Sequence, residues 1–337
     1  GVLLRCATLL LGGFFATLLS TVGIGCLFPD TSTALASAAT AGTKSTAVQS
    51  KSFPAKETRP YKKRLLVFYA ACMLAAVAQV RTQSGQFSAQ MAENIFMVAS
   101  TLLGFVGGFL VPQRVQAVVH PMFSCILTSW AAAAAWGPLC GNSARFLQVL
   151  GTYQTWPGGG AIFRFLLGPT LVAHGVLLFE RRSLLYREFL PMLVTCSISA
   201  LVSMVFTACL ARALALPGLL GVASLLRCIS TPFAGDLTDL IGADATLAFA
   251  MIVITGFIGV VLAPPVFTLL GLRNPRTRGV AMGASAHGLG TVSLATSDAD
   301  AFPYSALAFV LVGTASTALL QMSFIRTLLL RLVLGAA

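Results

Sequence analysis

Residues 246–272 read TLAFAMIVITGFIGVVLAPPVFTLLGL and carry no charged side chain. A helix needs about 20 apolar residues to cross the hydrocarbon core of a bilayer, and this run exceeds that length. It lacks the period-2 alternation of a strand with one wet face. Working outward, comparable runs occupy 2–28, 65–80, 93–111, 116–137, 161–180, 189–214 and 303–325. Over the whole chain 57% of residues are apolar and 9% are charged, and mean hydropathy is +0.87. A soluble domain carries roughly 25% charged residues, so most of this exterior must face lipid. Backbone groups in lipid have to be paired internally, which leaves helices or a closed barrel. The runs are too long for barrel strands. The expected fold is all-α, a polytopic transmembrane helical bundle.

The net charge of +12 is concentrated between spans: Lys44, Lys51, Lys56, Arg59, Lys62, Lys63 and Arg64 face a single Glu57. Basic residues beside spans mark the non-translocated side and meet anionic head groups. Neither interleaved aromatics nor a nucleic-acid signature accompanies them, so nucleic acid is not an expected partner and the lipid bilayer is. The Ser-, Thr-, Ala- and Lys-rich residues 29–63 cannot build a core and read as a flexible basic linker. Residues 2–28 are too long for the apolar core of a signal peptide and lack its cleavage site, so they are expected to span. Beginning at Gly1, the chain reads as a fragment or processed form. Its cysteines, at 6, 26, 72, 125, 140, 196, 209 and 228, show no CxxC and no Cys/His ligand spacing. Neither a metal nor a cofactor is expected.

From residue 158 onward the apolar runs are interrupted. Leu167-Gly168-Pro169-Thr170 breaks 161–180, Ser230-Thr231-Pro232 breaks 219–242, and 279–297 is rich in small and polar residues. Backbone freed at membrane depth survives only where protein or a cavity satisfies it, and secondary transporters build substrate sites from such half-helix ends. Breaks are expected near Pro232 and Gly288–Gly290. Placing Arg273, Arg276 and Arg278 on the same side as the other basic loops favours a re-entrant 219–242. The pair Gly104 and Gly108 either lets another helix approach closely or reflects ordinary membrane glycine usage.

Two groups carry candidate chemistry. Arg227 is costly in a bilayer unless paired or hydrated, and its planar fork matches a carboxylate. Ser230 and Thr231 lie within one turn of it and can bond a substrate hydroxyl. The competing reading pairs Arg227 with Asp236 or Asp239. The second group is Ser285, His287, Gly288, Gly290 and Thr291, whose glycines permit an unwound, anion-binding backbone. His287 is the candidate for proton coupling, against a purely hydrogen-bonded histidine. His174 ranks below it, and His120, ahead of Pro121, reads as interfacial. Arg273, Arg276 and Arg278 read as head-group contacts. A Ser/His/Asp hydrolase fails for want of a nucleophile elbow, so no catalytic residue and no enzyme activity is expected.

The runs Leu166–Pro169, Arg227-Cys228-Ile229-Ser230-Thr231-Pro232-Phe233-Ala234 and Arg278-Gly279 through Ser285-Ala286-His287-Gly288-Leu289-Gly290-Thr291 resemble the LrgB family. His120-Pro121 and Ala301-Phe302-Pro303 add a likeness to its plant, plastidal branch. The resemblance makes 1–28 the last span of an LrgA-like region, 29–63 its linker and 64–337 the LrgB-like transport domain. It implies a carrier of the plastid inner envelope that exchanges the small organic acids glycolate and glycerate in photorespiration, with a homo-oligomer as a candidate assembly. Bacterial members, which carry Lys where this chain has Arg227, imply the alternative: a holin partner or regulator of membrane permeability and lysis.

Overall fold

The computed structural model describes residues 1–27, 59–82, 88–112, 121–141 and 145–335. Among these, all regular structure is helical, and eight helical stretches are long and apolar enough to cross a membrane. The chain is a polytopic α-helical membrane protein. Its contacts divide it into two compact units, Lys51–Gly168 and Gly1–Ser50 with Pro169–Ala337. Helix α1 (Val2–Leu27) belongs to the second.

The Lys51–Gly168 unit is built on α2 (Arg59–Thr82), α3 (Ala89–Gly108) and α4 (Pro121–Cys140), followed by the short α5 (Phe146–Gln154) and α6 (Gly159–Phe165). Helix α2 begins inside the expected linker 29–63, most of which lies outside the described residues, as does His120. The glycine pair does bring a helix close. A Cβ on Gly104 would lie 2.9 Å from Cys125 Cα, and one on Gly108 would lie 2.6 Å from Pro121 Cα. Helices α3 and α4 can therefore meet backbone to backbone, with the Phe96 and Trp136 rings in tilted contact at 5.0 Å in their core.

The remaining unit adds α7 (Leu167–Glu180), α8 (Arg182–Ala213), α9 (Gly218–Ser224), α10 (Thr231–Ile241), α11 (Ala245–Leu269), α12 (Pro275–Ser297), α13 (Phe302–Gln321) and α14 (Ser323–Leu334). Met192, Cys196 and Met204 of α8 pack with Leu225, Leu226, Ile229 and Leu307 in its main core. Helices α12 and α13 approach through Gly279 and Gly283, the latter so close that a Cβ would lie 3.0 Å from Phe309 N.

Three interruptions matter. The chain leaves helical form between Ser224 and Thr231. At about 1.5 Å per residue neither α9 nor α10 reaches across an apolar core of about 30 Å. Pro232 sits in the first turn of α10, where its missing N–H is not needed. Helix α12 is broken at His287, whose φ of 42° and ψ of −136° separate residues 275–286 from 288–297. The break falls beside the expected Gly288–Gly290 segment, at His287. The non-glycine His287 itself takes the strained conformation, a cost that the surrounding packing must hold in place. The third break falls at Leu166 rather than at 167–170. Pro169 lies in the first turn of α7, where proline is tolerated.

Candidate functional site

Arg227 lies in the irregular segment between α9 and α10 and is fully buried. Its Nε donates to Thr207 Oγ1 at 2.8 Å, and its Nη1 to Cys228 Sγ at 2.9 Å. Its Nη2 donates to Thr17 Oγ1 at 3.0 Å and Ser203 Oγ at 3.1 Å. Thr17 comes from α1, and Ser203 and Thr207 stand one turn apart on α8. The guanidinium rests on the α1 backbone at Gly13, where a Cβ would lie 2.5 Å from Cζ. Only glycine leaves that space. Among the described residues no carboxylate pairs with Arg227. The ion-pair reading is corrected: Asp236 and Asp239 are exposed on α10. In a bilayer an arginine costs about 2.5–3.5 kcal/mol on insertion scales. Here neutral hydroxyls and a thiol hold one without cancelling its charge.

The His287 break stands beside this cluster. Its Nε2–H donates to Ile252 O of α11 at 2.9 Å, which orients the ring and leaves Nδ1 as the acceptor. Gly256 of α11 makes room, since a Cβ there would lie 2.8 Å from His287 Cε1. Thr291 Oγ1 donates to the His287 carbonyl at 2.8 Å while also bonding Ser305 Oγ at 2.8 Å, which ties the second half of α12 to α13. Phe14, next to Gly13, and Ala286, next to His287, both reach Gly259, at 3.2 Å from where its Cβ would be. Arg227 and His287 are each sealed from solvent, with His287 4% exposed.

The other expected residues divide by role. Ser230 is buried, and its Oγ has no hydrogen-bond partner. It caps α10 by position but not through its side chain. Thr231 is half-buried at the start of the same helix. Ser285 Oγ is spent on Ala281 O at 2.7 Å, within its own helix. Gly288 has open space where a side chain would go, whereas Gly290 packs against Met282, whose Sδ would lie 2.9 Å from a Cβ there. His174 stacks on Phe233 at 5.8 Å and meets Phe309 edge-on at 5.0 Å, with its Nδ1 buried and without a partner. Gly13, Thr17, Ser203 and Thr207 were not singled out from the sequence. The available signal was the four-residue spacing of Thr17/Thr21 and of Thr195/Ser199/Ser203/Thr207, which aligns hydroxyls on one face of an apolar helix.

The arginine trio is also corrected. Arg276 is 7% exposed and pairs with the buried Glu188 at 3.3 Å. Arg278 pairs with Asp298 at 2.7 Å and donates to Arg273 O at 2.9 Å. Arg273 alone of the three is exposed.

Comparison with known proteins adds three findings. The model of the LrgB-like family matches residues 101–325. The plastidal glycolate/glycerate translocator 1 of Arabidopsis thaliana is 33% identical over 243 residues, 71% of this chain and 47% of the plant protein. The antiholin-like protein LrgB of Bacillus subtilis is 24% identical over 170 residues, 50% of this chain and 73% of its own length. The chain thus spans about half the length of the plant relative. No solved structure matches it.

Proposed function

We propose a function from one established premise, that the chain belongs to the LrgB-like family: it is a carrier that exchanges small 2-hydroxy monocarboxylates. Glycolate and glycerate are the proposed substrates and the plastid inner envelope the proposed location, by analogy with the plant relative. One observation carries the reading. Arg227 is a buried cation with no protein counter-ion among the described residues, set beside a helix broken at His287. A pore or lysis regulator needs neither a selective cation nor a hinge.

The chemistry follows from the guanidinium's five N–H groups. Four are taken by neutral acceptors, and the weakest of these is the Cys228 sulfur on Nη1. A carboxylate that displaces the thiol accepts from Nη1, while Thr17, Ser203 and Thr207 keep the group in place. The orphaned Ser230 hydroxyl supplies a partner for the substrate's 2-hydroxyl. His287 Nδ1 is free to take a proton, and the strained His287 backbone is the hinge about which residues 288–297 move. Such a step opens one side of the sealed site at a time.

Uptake of labelled glycolate into proteoliposomes preloaded with glycerate tests the reading. A carrier gives saturable uptake that needs internal glycerate or glycolate. Non-saturable leak of glycolate and unrelated anions alike would instead favour the permeability regulator that the bacterial relative's name suggests.

A further inference from the structure

Helix α1 fixes the direction of its neighbours. It runs antiparallel to α8, since Arg5 Nη1 donates to Ala215 O at 3.1 Å at one end and Thr21 bonds Ser199 Oγ at 2.5 Å further along. It runs parallel to α11: Leu9 and Leu10 cluster with Met251, and Leu18 and Val22 cluster with Ala263 and Phe267. Helix α8 therefore ends on the membrane face where α11 begins. The chain between them reaches inward as far as Thr17 of α1, which Arg227 bonds at 3.0 Å. Residues 214–244 thus enter and leave through one face. They form a re-entrant hairpin with arms α9 and α10, as the placement of the basic loops favours.

Helix α11 carries the chain to the opposite face, and α12 starts there. A straight helix would hold Arg278 and Asp298 about 30 Å apart at about 1.5 Å per residue, yet they pair at 2.7 Å. The chain therefore turns back at His287, and α12 is a second re-entrant hairpin, entered from the other face. Its tip is held to the middle of α11 by the bond to Ile252 O. A span followed by a hairpin thus occurs twice in opposite orientations, α8 with α9–α10 and α11 with α12. Secondary transporters are built from such inverted repeats. In both hairpins the first arm leads into a sunken tip, residues 221–230 and 279–287 all being buried, and the second arm is the outer one. Each second arm closes on α13. Phe233 of α10 seats on Gly313, where a Cβ would lie 2.6 Å from the ring, and Thr291 bonds Ser305 Oγ at 2.8 Å.

We propose that the two second arms are separate gates. Helix α10 leaves α13 to admit substrate from the face where α8 ends, and residues 288–297 leave it to admit substrate from the face where α8 begins. The inference rests on the carrier reading for what passes. To the single His287 hinge of that reading it adds a second gate and the face that each gate serves. Hinges are visible at both tips. The chain is irregular between Ser224 and Thr231, and Gly288, next to the strained His287, has nothing within 4 Å of where its side chain would be. Both gates are shut in this structure, which keeps Arg227 and His287 from solvent.

The test joins sided labelling to a lock. Right-side-out and inside-out membrane vesicles are treated with an impermeant thiol reagent, and the labelled peptides are read by mass spectrometry. Pro217→Cys, Thr246→Cys, Arg273→Cys and Asp300→Cys replace exposed residues that flank the hairpins. Positions 217 and 246 should label from one face only, and 273 and 300 from the other only. Either pair divided between the faces makes its hairpin a crossing segment and overturns the proposal. Gly288→Cys then probes the second gate. With glycolate and glycerate on both sides it should react about tenfold faster than without them, a shift of about 1.4 kcal/mol toward the open form. It should do so only from the face of positions 273 and 300. Equal reaction from both faces, as a continuous pore allows, overturns the proposal. The lock is Thr291→Cys/Ser305→Cys, whose native oxygens are 2.8 Å apart. Oxidation should abolish exchange in proteoliposomes and reductant should restore it. A folded, fully oxidised pair that exchanges at the reduced rate overturns the proposal. Should the reduced pair not fold or not exchange, the sided reactivity of position 288 decides. Exchange by a protein whose position 288 is reached from the wrong face removes the gates and leaves the carrier reading. One-sided reaction there without any glycolate exchange leaves the gates and removes the carrier reading.

Discussion

Replacing Gly13 by alanine adds one methyl group where the Arg227 guanidinium rests. The new Cβ would lie 2.5 Å from Cζ and Nε and 2.6 Å from Nη2, against an ordinary separation of about 3.5 Å or more. The guanidinium must retreat by about 1 Å, although its four bonds of 2.8–3.1 Å hold it from the other sides. A retreat of that size takes at least one bond beyond hydrogen-bonding distance, at a cost of about 1.5–3 kcal/mol for a charged donor. Alanine returns about 1 kcal/mol in helix propensity. The net loss is roughly 0.5–2 kcal/mol, about two- to thirtyfold in KM at about 1.4 kcal/mol per tenfold. Gly12→Ala is the control, because its Cβ would meet the flexible Leu210 Cδ2 at 3.1 Å and Phe206 Cε1 at an ordinary 4.0 Å. The assay is glycolate–glycerate exchange in proteoliposomes, with thermal unfolding of the same preparations. A Gly13→Ala protein with wild-type stability and unchanged KM would refute the claim that α1 seats the arginine. This matters for the family as well, since α1 lies outside the matched residues 101–325.

Three further outcomes follow from the same geometry. Arg227→Lys keeps the charge but loses the planar group that Thr17, Ser203 and Thr207 position, and should still transport, with a KM raised about tenfold. Arg227→Gln should lose most transport while remaining folded, and near-normal exchange by a folded Gln variant rules out the clamp. Ser230→Ala removes a buried hydroxyl that has no partner, so thermal stability should hold or rise by about 1 kcal/mol. The KM for 2-hydroxy acids should rise relative to acids lacking the hydroxyl, and equal changes for both would remove Ser230 from the site. Thr291→Val removes the hydroxyl that bonds the His287 carbonyl and Ser305, and should cost about 1 kcal/mol, read as a lower unfolding temperature. Unchanged stability would mean that the break is held by packing alone.

Composition and run length alone determined that this is a polytopic helical membrane protein. Hydropathy is a local quantity, and a bilayer selects for it residue by residue. Breaks were legible to within a residue or so because Pro and Gly act on the backbone beside them. Even so, the sequence pointed to glycine at the α12 break, where the structure puts His287. Arg227 was legible because charge is expensive in lipid wherever it falls. What surrounds it was not. Gly13 and Thr17 are more than 200 positions away in the chain, and no local pattern reports such a contact. The choice between a carboxylate partner and hydroxyl partners for Arg227 depends on which face of α10 turns inward. Asp236 and Asp239 proved to be on the outer face. Arg276 read as one of three loop cations, and only the packing of α8 against α12 buries it on Glu188. Sequence spacing prices each group alone, whereas tertiary structure decides which groups share the cost of burial.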